Sequence, residues 1–511
     1  MNTPILLLLT ACVVSNVKAA NILLFPGLMA PSICNEMRGF GEELINRGHK
    51  VTFYLSSKFD RSFMSNSKIR FLEFRFSKRD KEVIDGVTKE LSDGVFSNQS
   101  GSIWKLMSTF PTMLNTICDA VFADKDGLDM LKAEQFDLVV VETIFFTKCL
   151  CFLPRYLNVP YVGVASTVDG RDGGLPFQAL ASPHIMSTFS DSMSFLERLK
   201  NVAMHLVMYV FRPYVLPTTD PATYDPSLAG LDAEDLVRNA VLYLENSDHV
   251  VDYPKALMPN FVQVGGLTAS PAGKLPKDLE TFISEATDGV VVVSFGSILR
   301  EAPKEMMNKL MTAFSQLKQR VLFKTDRDFV EGNIKSVKWI PQNDVLGHPK
   351  VKLFISHCGK NSFFEGVYHG VPIICTPLNG DAYSTASKVV NKQIGLSLDL
   401  KTASASDIVK TVNTVLTNTI YGDNMRRTSL LLRDRPETPT ARAASAIEHV
   451  LKYGGEHLRA PSRNLPLMSY VYADLWLIIF SVIIGILYVL VKLARCICCR
   501  KRSAIAKTKS D

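Results

Sequence analysis

Residues 137–141 read DLVVV and 290–295 read VVVVSF. Continuous β-branched runs of this kind need apolar cover on both faces, which parallel strands flanked by helices supply. That requirement directs the chain to an α/β fold. Residues 21–25 and 160–164 read as further strands of the same type. From Asn21 the order is strand (NILLFPG), a helix ending at Arg47-Gly48-His49, and strand (KVTFYLS), the opening of a doubly wound sheet. A second βα series begins after Gly265-Gly266 and the Pro-, Ala- and Gly-rich stretch to Pro276. Its strands fall at 290–295, 320–323, 337–339, 353–355 and 373–375. The chain has 511 residues, more than one core normally holds. Two Rossmann-like domains facing a cleft are therefore expected, at 20–268 and 269–455. Ligands of such sheets bind at the carboxyl ends of the strands.

Both ends of the chain carry apolar segments outside this pattern. Residues 5–9 form a short apolar core, and Val17-Lys18-Ala19 fits a signal-peptidase site, so residues 1–19 read as a signal peptide. After a linker at 456–474, residues 475–491 (LWLIIFSVIIGILYVLV) carry no charge, and as a helix would span roughly 25 Å. Lys492, Arg495, Arg500, Lys501 and Arg502 follow in the tail 492–511. The positive-inside rule puts that tail in the cytosol and the two domains in a lumen. Lys507 and Lys509 resemble a K-x-K-x-x retrieval signal, which would place the protein in the endoplasmic reticulum membrane. The net charge of +7 owes much to this tail, and no basic patch interleaved with aromatics points to nucleic acid. Residues 194–216 are helical in period and apolar, but Glu197, Arg198, Lys200 and Arg212 prevent a membrane span. They suit an acceptor-pocket wall, a helix lying on the bilayer surface, or an ordinary core helix.

Residues 339–383 carry the densest chemistry. Trp339 offers a flat face to a base, and the amide of Gln342 can pair with the base edge. The turn 357–362, His-Cys-Gly-Lys-Asn-Ser, follows an apolar strand. A strand-to-helix turn presents backbone N–H groups and a helix N-terminus to phosphates. Glu365, one turn further on, can accept ribose hydroxyls. This run resembles the signature of the UDP-glycosyltransferases, the membrane-bound animal family that includes the UDP-glucuronosyltransferases. Trp339, Pro341, Gln342, Asn343, Asp344, His348 and Pro349 match its first block. Ser356, His357, Gly359, Asn361 and Ser362 match the second, and Glu365, Gly370, Val371 and Pro372 the third. In the last block Pro377, Leu378 and Asp381 match, while Ala382 stands where the family has Gln. Ser297, in the turn Ser294-Phe295-Gly296-Ser297, and Lys324 match further donor positions. Asp252-Tyr253-Pro254 and Pro259-Asn260 also match.

The resemblance implies the two-lobed GT-B fold, a UDP-sugar as co-substrate with no other cofactor or metal, and a small lipophilic acceptor. It also implies a catalytic His oriented by an Asp, because a neutral hydroxyl is a poor nucleophile. Counting back without gaps from Arg47-Gly48-His49 puts that His at Ile33, and no histidine precedes His49. The partner Asp falls on Glu142, which either acts directly on an acceptor or is kept for local hydrogen bonding. Glu36 reads as an exposed helix-face charge and a weaker candidate base, Cys34 as filler, and His49 as a structural residue capping a helix end. An amine acceptor needs a base far less than a hydroxyl does, so the loss of the His points to nitrogen acceptors. The alternative is a UDP-binding pseudoenzyme that partners or regulates active family members; homo- or hetero-oligomers with such members fit either reading.

Ten cysteines show neither zinc spacing nor a disulfide framework, and Cys34, Cys118, Cys149, Cys151, Cys358 and Cys375 read as buried free thiols. Cys496, Cys498 and Cys499 flank the bilayer, where palmitoylation and apolar packing are equally suited. Asn98-Gln99-Ser100 is a glycosylation sequon.

Overall fold

The computed structural model describes residues 18–27, 31–57, 59, 67–96, 102–143, 148–179, 182–215, 219–296, 303–378 and 380–507. Asn98, Ser297, the sequence-expected signal peptide up to residue 17, and Lys509 lie outside them.

Two seven-stranded sheets form, one in each expected domain. The first comprises β1 (Asn21–Phe25), β2 (Lys50–Ser56), β3 (Arg70–Phe74), β4 (Leu138–Glu142), β5 (Tyr161–Ala165), β6 (Leu242–Glu245) and β7 (Phe261–Gln263). It runs β3-β2-β1-β4-β5-β6-β7, with every pairing parallel. The second comprises β8 (Val290–Ser294), β9 (Arg320–Lys324), β10 (Phe329–Glu331), β11 (Ile334–Val337), β12 (Val351–Ser356), β13 (Ile373–Cys375) and β14 (Gly395–Ser397). Its order is β10-β11-β9-β8-β12-β13-β14, antiparallel only at the β10–β11 edge. The valine runs behave as their composition requires: every residue of β4 and of β8 is buried. Apolar clusters cover both faces of each sheet. The third strand of the second series ends at Val337, so Trp339 lies in the following loop.

Strand order reverses between β1 and β4 in the first sheet and between β8 and β12 in the second. A crevice opens at such reversals, because the connecting helices leave on opposite faces. Glu142 ends β4, the helix Pro31–Asn46 follows β1, Gly296 follows β8 and His357 follows β12.

Two sequence readings change, and the structure adds a side-chain role for His49. The helix Pro439–Tyr453, expected within the second domain at 269–455, packs on the first: Ala443, Ala444, Ile447 and Val450 join the cluster containing Ile22, Met37 and Phe40. Arg47 pairs with Glu448 at 2.8 Å across that contact. His49 caps the end of the first helix through its backbone, its N–H donating to the Leu44 carbonyl at 3.1 Å. Its Nδ1 accepts from the Ala20 N–H at 3.1 Å and its Nε2 lies 3.2 Å from Glu448, tying the start of β1 to the returning helix. Four cysteines expected as free thiols form the disulfides Cys118–Cys149 and Cys358–Cys375. Strand pairing explains the second: β12 lies beside β13 with Ser356 opposite Cys375, so the turn after β12 carries Cys358 to the end of its neighbour. Cys34 and Cys151 remain buried thiols.

The helix Ala473–Lys507 follows the short helix Leu467–Tyr470, and Ala473–Ile497 is long and apolar enough to cross a membrane. The 194–216 segment is the helix Phe195–Val215, which exposes Phe195, Leu196, Leu199, Val207, Val210 and Phe211.

Candidate active site at the interdomain cleft

The turn after β12 is shaped by close approach. The His357 imidazole lies between Gly296 and Gly359, and a Cβ on either would come within 2.7 Å of its Cε1 or 2.5 Å of its Nε2. Gly296 also has φ +74°, a conformation only glycine adopts freely. Burial, with Lys324 nearby, lowers the His357 pKa to about 4, so the ring is neutral at pH 7. Its Nδ1 is buried and makes no protein hydrogen bond. Gly359 caps the helix Lys360–Tyr368 without a side-chain hydrogen bond, so side chains leave the first-turn N–H groups uncovered.

The same helix places Asn361, Ser362 and Glu365 within two turns. Ser362 and Glu365 accept from the amide of Gln342 at 3.0 and 2.6 Å. The Gln342 nitrogen, expected at a base edge, is thus engaged with the carboxyl expected at ribose. Burial raises Glu365 to about 7, against the pull of the Gln342 amide, and it is half protonated near neutrality. Trp339 is 60% exposed, an open ring face beside this group. Lys324 ends β9, close enough to bias both His357 and Glu365. Asp381 opens the helix Ala382–Asn391 half-buried; burial raises its carboxyl, and Lys360 and Lys388 oppose the rise.

The first domain closes the site from the other side. Asn246, directly after β6, donates to Asn361 Oδ1 at 2.9 Å, and Asn361 Nδ2 donates to the Ser32 carbonyl at 3.3 Å. The loop beyond Asn246 carries Asp252 into the second domain, where Lys360 and Lys388 bond its carboxylate at 2.7 and 2.6 Å. Burial works to raise the Asp252 carboxyl, yet the two ammonium groups hold it well below the usual carboxylate range. Burial and the neighbouring Lys360 pull Lys388 down to about 8.

The structure thus gathers Lys324, Gln342, His357, Gly359, Asn361, Ser362, Glu365 and Asp381 on the second domain's crevice. Glu142, fully buried, lies on the opposing crevice. Ile33 packs in the apolar cluster under the first helix. Glu36 corrects the sequence reading: it is only 3% exposed, and Asn361 and Asn246 lie beside its carboxyl. Sequence reasoning missed Asn246, and it matched Asp252 only as part of a motif without the ion pairs that join it to Lys360 and Lys388. Glu36 was detectable only by its spacing, one helical turn beyond Ile33. Among the described residues no group of three or more His, Cys, Asp or Glu is placed to hold a metal ion.

A sequence model described as "UDP-glucoronosyl and UDP-glucosyl transferase" matches residues 20–510. The chain is similar to UDP-glucuronosyltransferase 2B17 of Homo sapiens, 29% identical over 99% of this chain and 98% of that one. It is 31% identical to UDP-glucuronosyltransferase 2B23 of Macaca fascicularis over 89% of each chain. Among solved structures, spinosyn forosaminyltransferase SpnP aligns with a TM-score of 0.58 at 14% identity, covering 85% of this chain and all of that one. The calicheamicin glycosyltransferase CalG4 aligns at 0.54 and 16% identity, over 85% and 99%. The paired parallel-sheet domains are therefore those of GT-B glycosyltransferases.

Proposed function

The chain belongs to the family of UDP-glucuronosyl and UDP-glucosyl transferases, and from that membership we propose that it moves a hexose or hexuronate from a UDP-sugar to small lipophilic acceptors. Such transfer serves detoxification or conjugation of endogenous metabolites. The observation that carries the reading is the helix Lys360–Tyr368, whose Asn361 and Glu365 sit at the crevice of one sheet while Asn361 contacts Asn246 and Ser32 of the other.

Transfer is a single displacement that inverts the anomeric carbon. The N–H groups at Gly359 and the neutral His357 suit the diphosphate, which carries the departing charge. Trp339 stacks on the uracil, Glu365 takes ribose hydroxyls, and Asp381 holds a sugar hydroxyl, without the neighbouring amide that Ala382 replaces. Since Ile33 offers no base, amines are the acceptors best suited to the site, because their lone pair attacks before the proton leaves.

The apolar helix Ala473–Ile497 and the cations after it support a single-pass anchor with both domains in the lumen of the endoplasmic reticulum. A UDP-binding partner without turnover finds no support among the relatives named above, whose names are those of transferases.

The test is a screen of the membrane-anchored protein with UDP-glucose, UDP-glucuronate, UDP-galactose and UDP-N-acetylglucosamine against phenols and amines. Wild type, Ile33→His and Glu142→Ala are compared. Product from at least one donor is expected. Folded protein that binds UDP yet forms no product with any donor overturns the proposal.

A further inference from the structure

Glu36 lies in the second turn of the helix that follows β1, at the reversal point of the first sheet. Charged side chains at such a position ordinarily reach water, but this one is 3% exposed. Asn361, on the donor helix, and Asn246, in the loop after β6, lie beside its carboxyl and favour its charged form. Its Oε2 is buried and makes no protein hydrogen bond. A buried acceptor atom left in this state is costly, and in native proteins it calls for a specific account such as a catalytic role or a bound water or ion. Ile33 and Glu36 are three residues apart and share one face of the helix. The carboxyl thus stands about one turn from the position where the resemblance puts a catalytic histidine.

We propose that Glu36 is the catalytic base of this enzyme, its Oε2 taking the proton of a hydroxyl acceptor during sugar transfer. The proposal rests on the glycosyltransferase reading and deepens it. The acceptor oxygen forms a bond to the anomeric carbon as the bond from that carbon to the β-phosphate oxygen breaks. UDP leaves with the electron pair, the acceptor proton passes to Glu36, and water takes that proton after product release. Atoms and charge balance without a further reactant.

The charged groups around Glu36 suit this role. Burial first, then the negative charges of Glu142 at the end of β4 and Asp381 beyond β13, raise its proton affinity, while Asn361 and Asn246 oppose the rise. The result is a pKa of about 8, far closer to the operating pH than an ordinary carboxylate. Cys34, two residues before it on the same helix, is pushed far up by burial and by Glu142 and stays a neutral thiol. Glu142 thus acts on Glu36 through charge. Glu36 widens the acceptor range from amines to hydroxyls.

The experiment uses the full-length membrane protein, the donor found active in the screen, one phenol and one amine. Glu36→Gln is expected to lower kcat for the phenol by about 10²–10⁴-fold and for the amine by less than tenfold. UDP affinity should stay within about twofold, read by Trp339 fluorescence or calorimetry. In the wild type the phenol rate should rise with an apparent pKa near 8; Glu36→Gln should abolish that limb and Glu36→Asp should keep it. Phenol turnover by Glu36→Gln within fivefold of wild type, with the limb intact, overturns the inference and leaves the proposed function standing. So does a Glu36→Asp protein that folds and binds UDP but lacks the limb. Wild type inactive with every donor overturns both.

Discussion

Asn246 and Asn361 meet across the cleft, the Asn246 amide donating to Asn361 Oδ1 at 2.9 Å. One follows the sixth strand of the first sheet, and the other stands in the first turn of the donor helix of the second domain. Their contact ties the first domain to the helix that carries Asn361 and Glu365. Asn361 also donates to the Ser32 carbonyl at 3.3 Å, so one side chain reads two segments of the opposing domain.

Alanine at either asparagine should therefore weaken UDP-sugar binding several-fold. The double variant should cost less than the sum of the singles, because both remove one shared contact. Calorimetric titration of wild type, both singles and the double gives the coupling directly. Strict additivity would show that the pair does not act as a unit.

Gly359→Ala should damage the donor site without unfolding the protein. The new Cβ would stand 2.5 Å from His357 Nε2, so the imidazole must move. Backbone strain is not at issue, since Gly359 has φ −61°. The loss of one well-placed polar contact to a diphosphate corresponds to about tenfold in affinity. UDP titration and a thermal melt on the same sample separate the two effects: affinity should fall while Tm holds within a few degrees.

How far the sequence disclosed this arrangement depended on the range of the interaction. DLVVV and VVVVSF announce buried parallel strands because each residue's burial follows from its immediate neighbours. The donor turn was readable for the same reason: His357, Asn361 and Glu365 sit on one strand-turn-helix unit. Glu36 misled, because in NEMRGFGEEL its charge looks like one of several solvated ones, while the residues beside its buried carboxyl, Asn246 and Asn361, are distant in sequence. The helix Pro439–Tyr453 likewise carries no local sign that it crosses back to the first sheet. The Cys358–Cys375 bond was hidden by register, which no spacing rule encodes.

The Asp252–Lys360–Lys388 cluster should be a point of high structural sensitivity. Two ammonium groups share one buried carboxylate, and removing the anion leaves both cations uncompensated. Asp252→Asn is expected to destabilise the protein by about 3–5 kcal/mol. Adding Lys360→Met and Lys388→Met should recover much of that loss, since the burial penalty goes with the charges. Denaturant melts of the lumenal domains would test this. A single Asp252→Asn that melts like wild type would show the cluster to be energetically neutral.

The disulfide Cys358–Cys375 closes a loop of sequence separation 17 beside the diphosphate turn. A loop of that length constrains the unfolded chain by about 3 kcal/mol. The variant Cys358→Ala/Cys375→Ala should show a lower unfolding midpoint by that order. Dithiothreitol should lower the midpoint of wild type but not of the variant. Equal sensitivity of the two proteins to reductant would assign the effect to Cys118–Cys149 instead.

The buried carboxyls and the buried histidines act with opposite signs on the stability–pH relation. Burial raises Glu36 to about 8 and Glu365 to about 7 from an ordinary value of 4.5. Between 4.5 and 8 the folded state holds protons that the unfolded state has released, so stability falls as pH rises. The contribution is complete below the unfolded pKa and is lost as pH passes through the folded values. Asp252 acts oppositely, its carboxyl held low, and its contribution is lost only in acid. Above about pH 6.5 the buried His184, His357 and His369, held neutral in the fold, no longer oppose the effect of Glu36 and Glu365, so Tm should decline from pH 6.5 to pH 8, and Glu36→Gln should flatten the decline most strongly at its alkaline end. At pH 8 the glutamine variant should be at least as stable as wild type, because it removes a buried charge without removing volume. A wild-type Tm that rises across this interval would show that neither carboxyl is held protonated by burial.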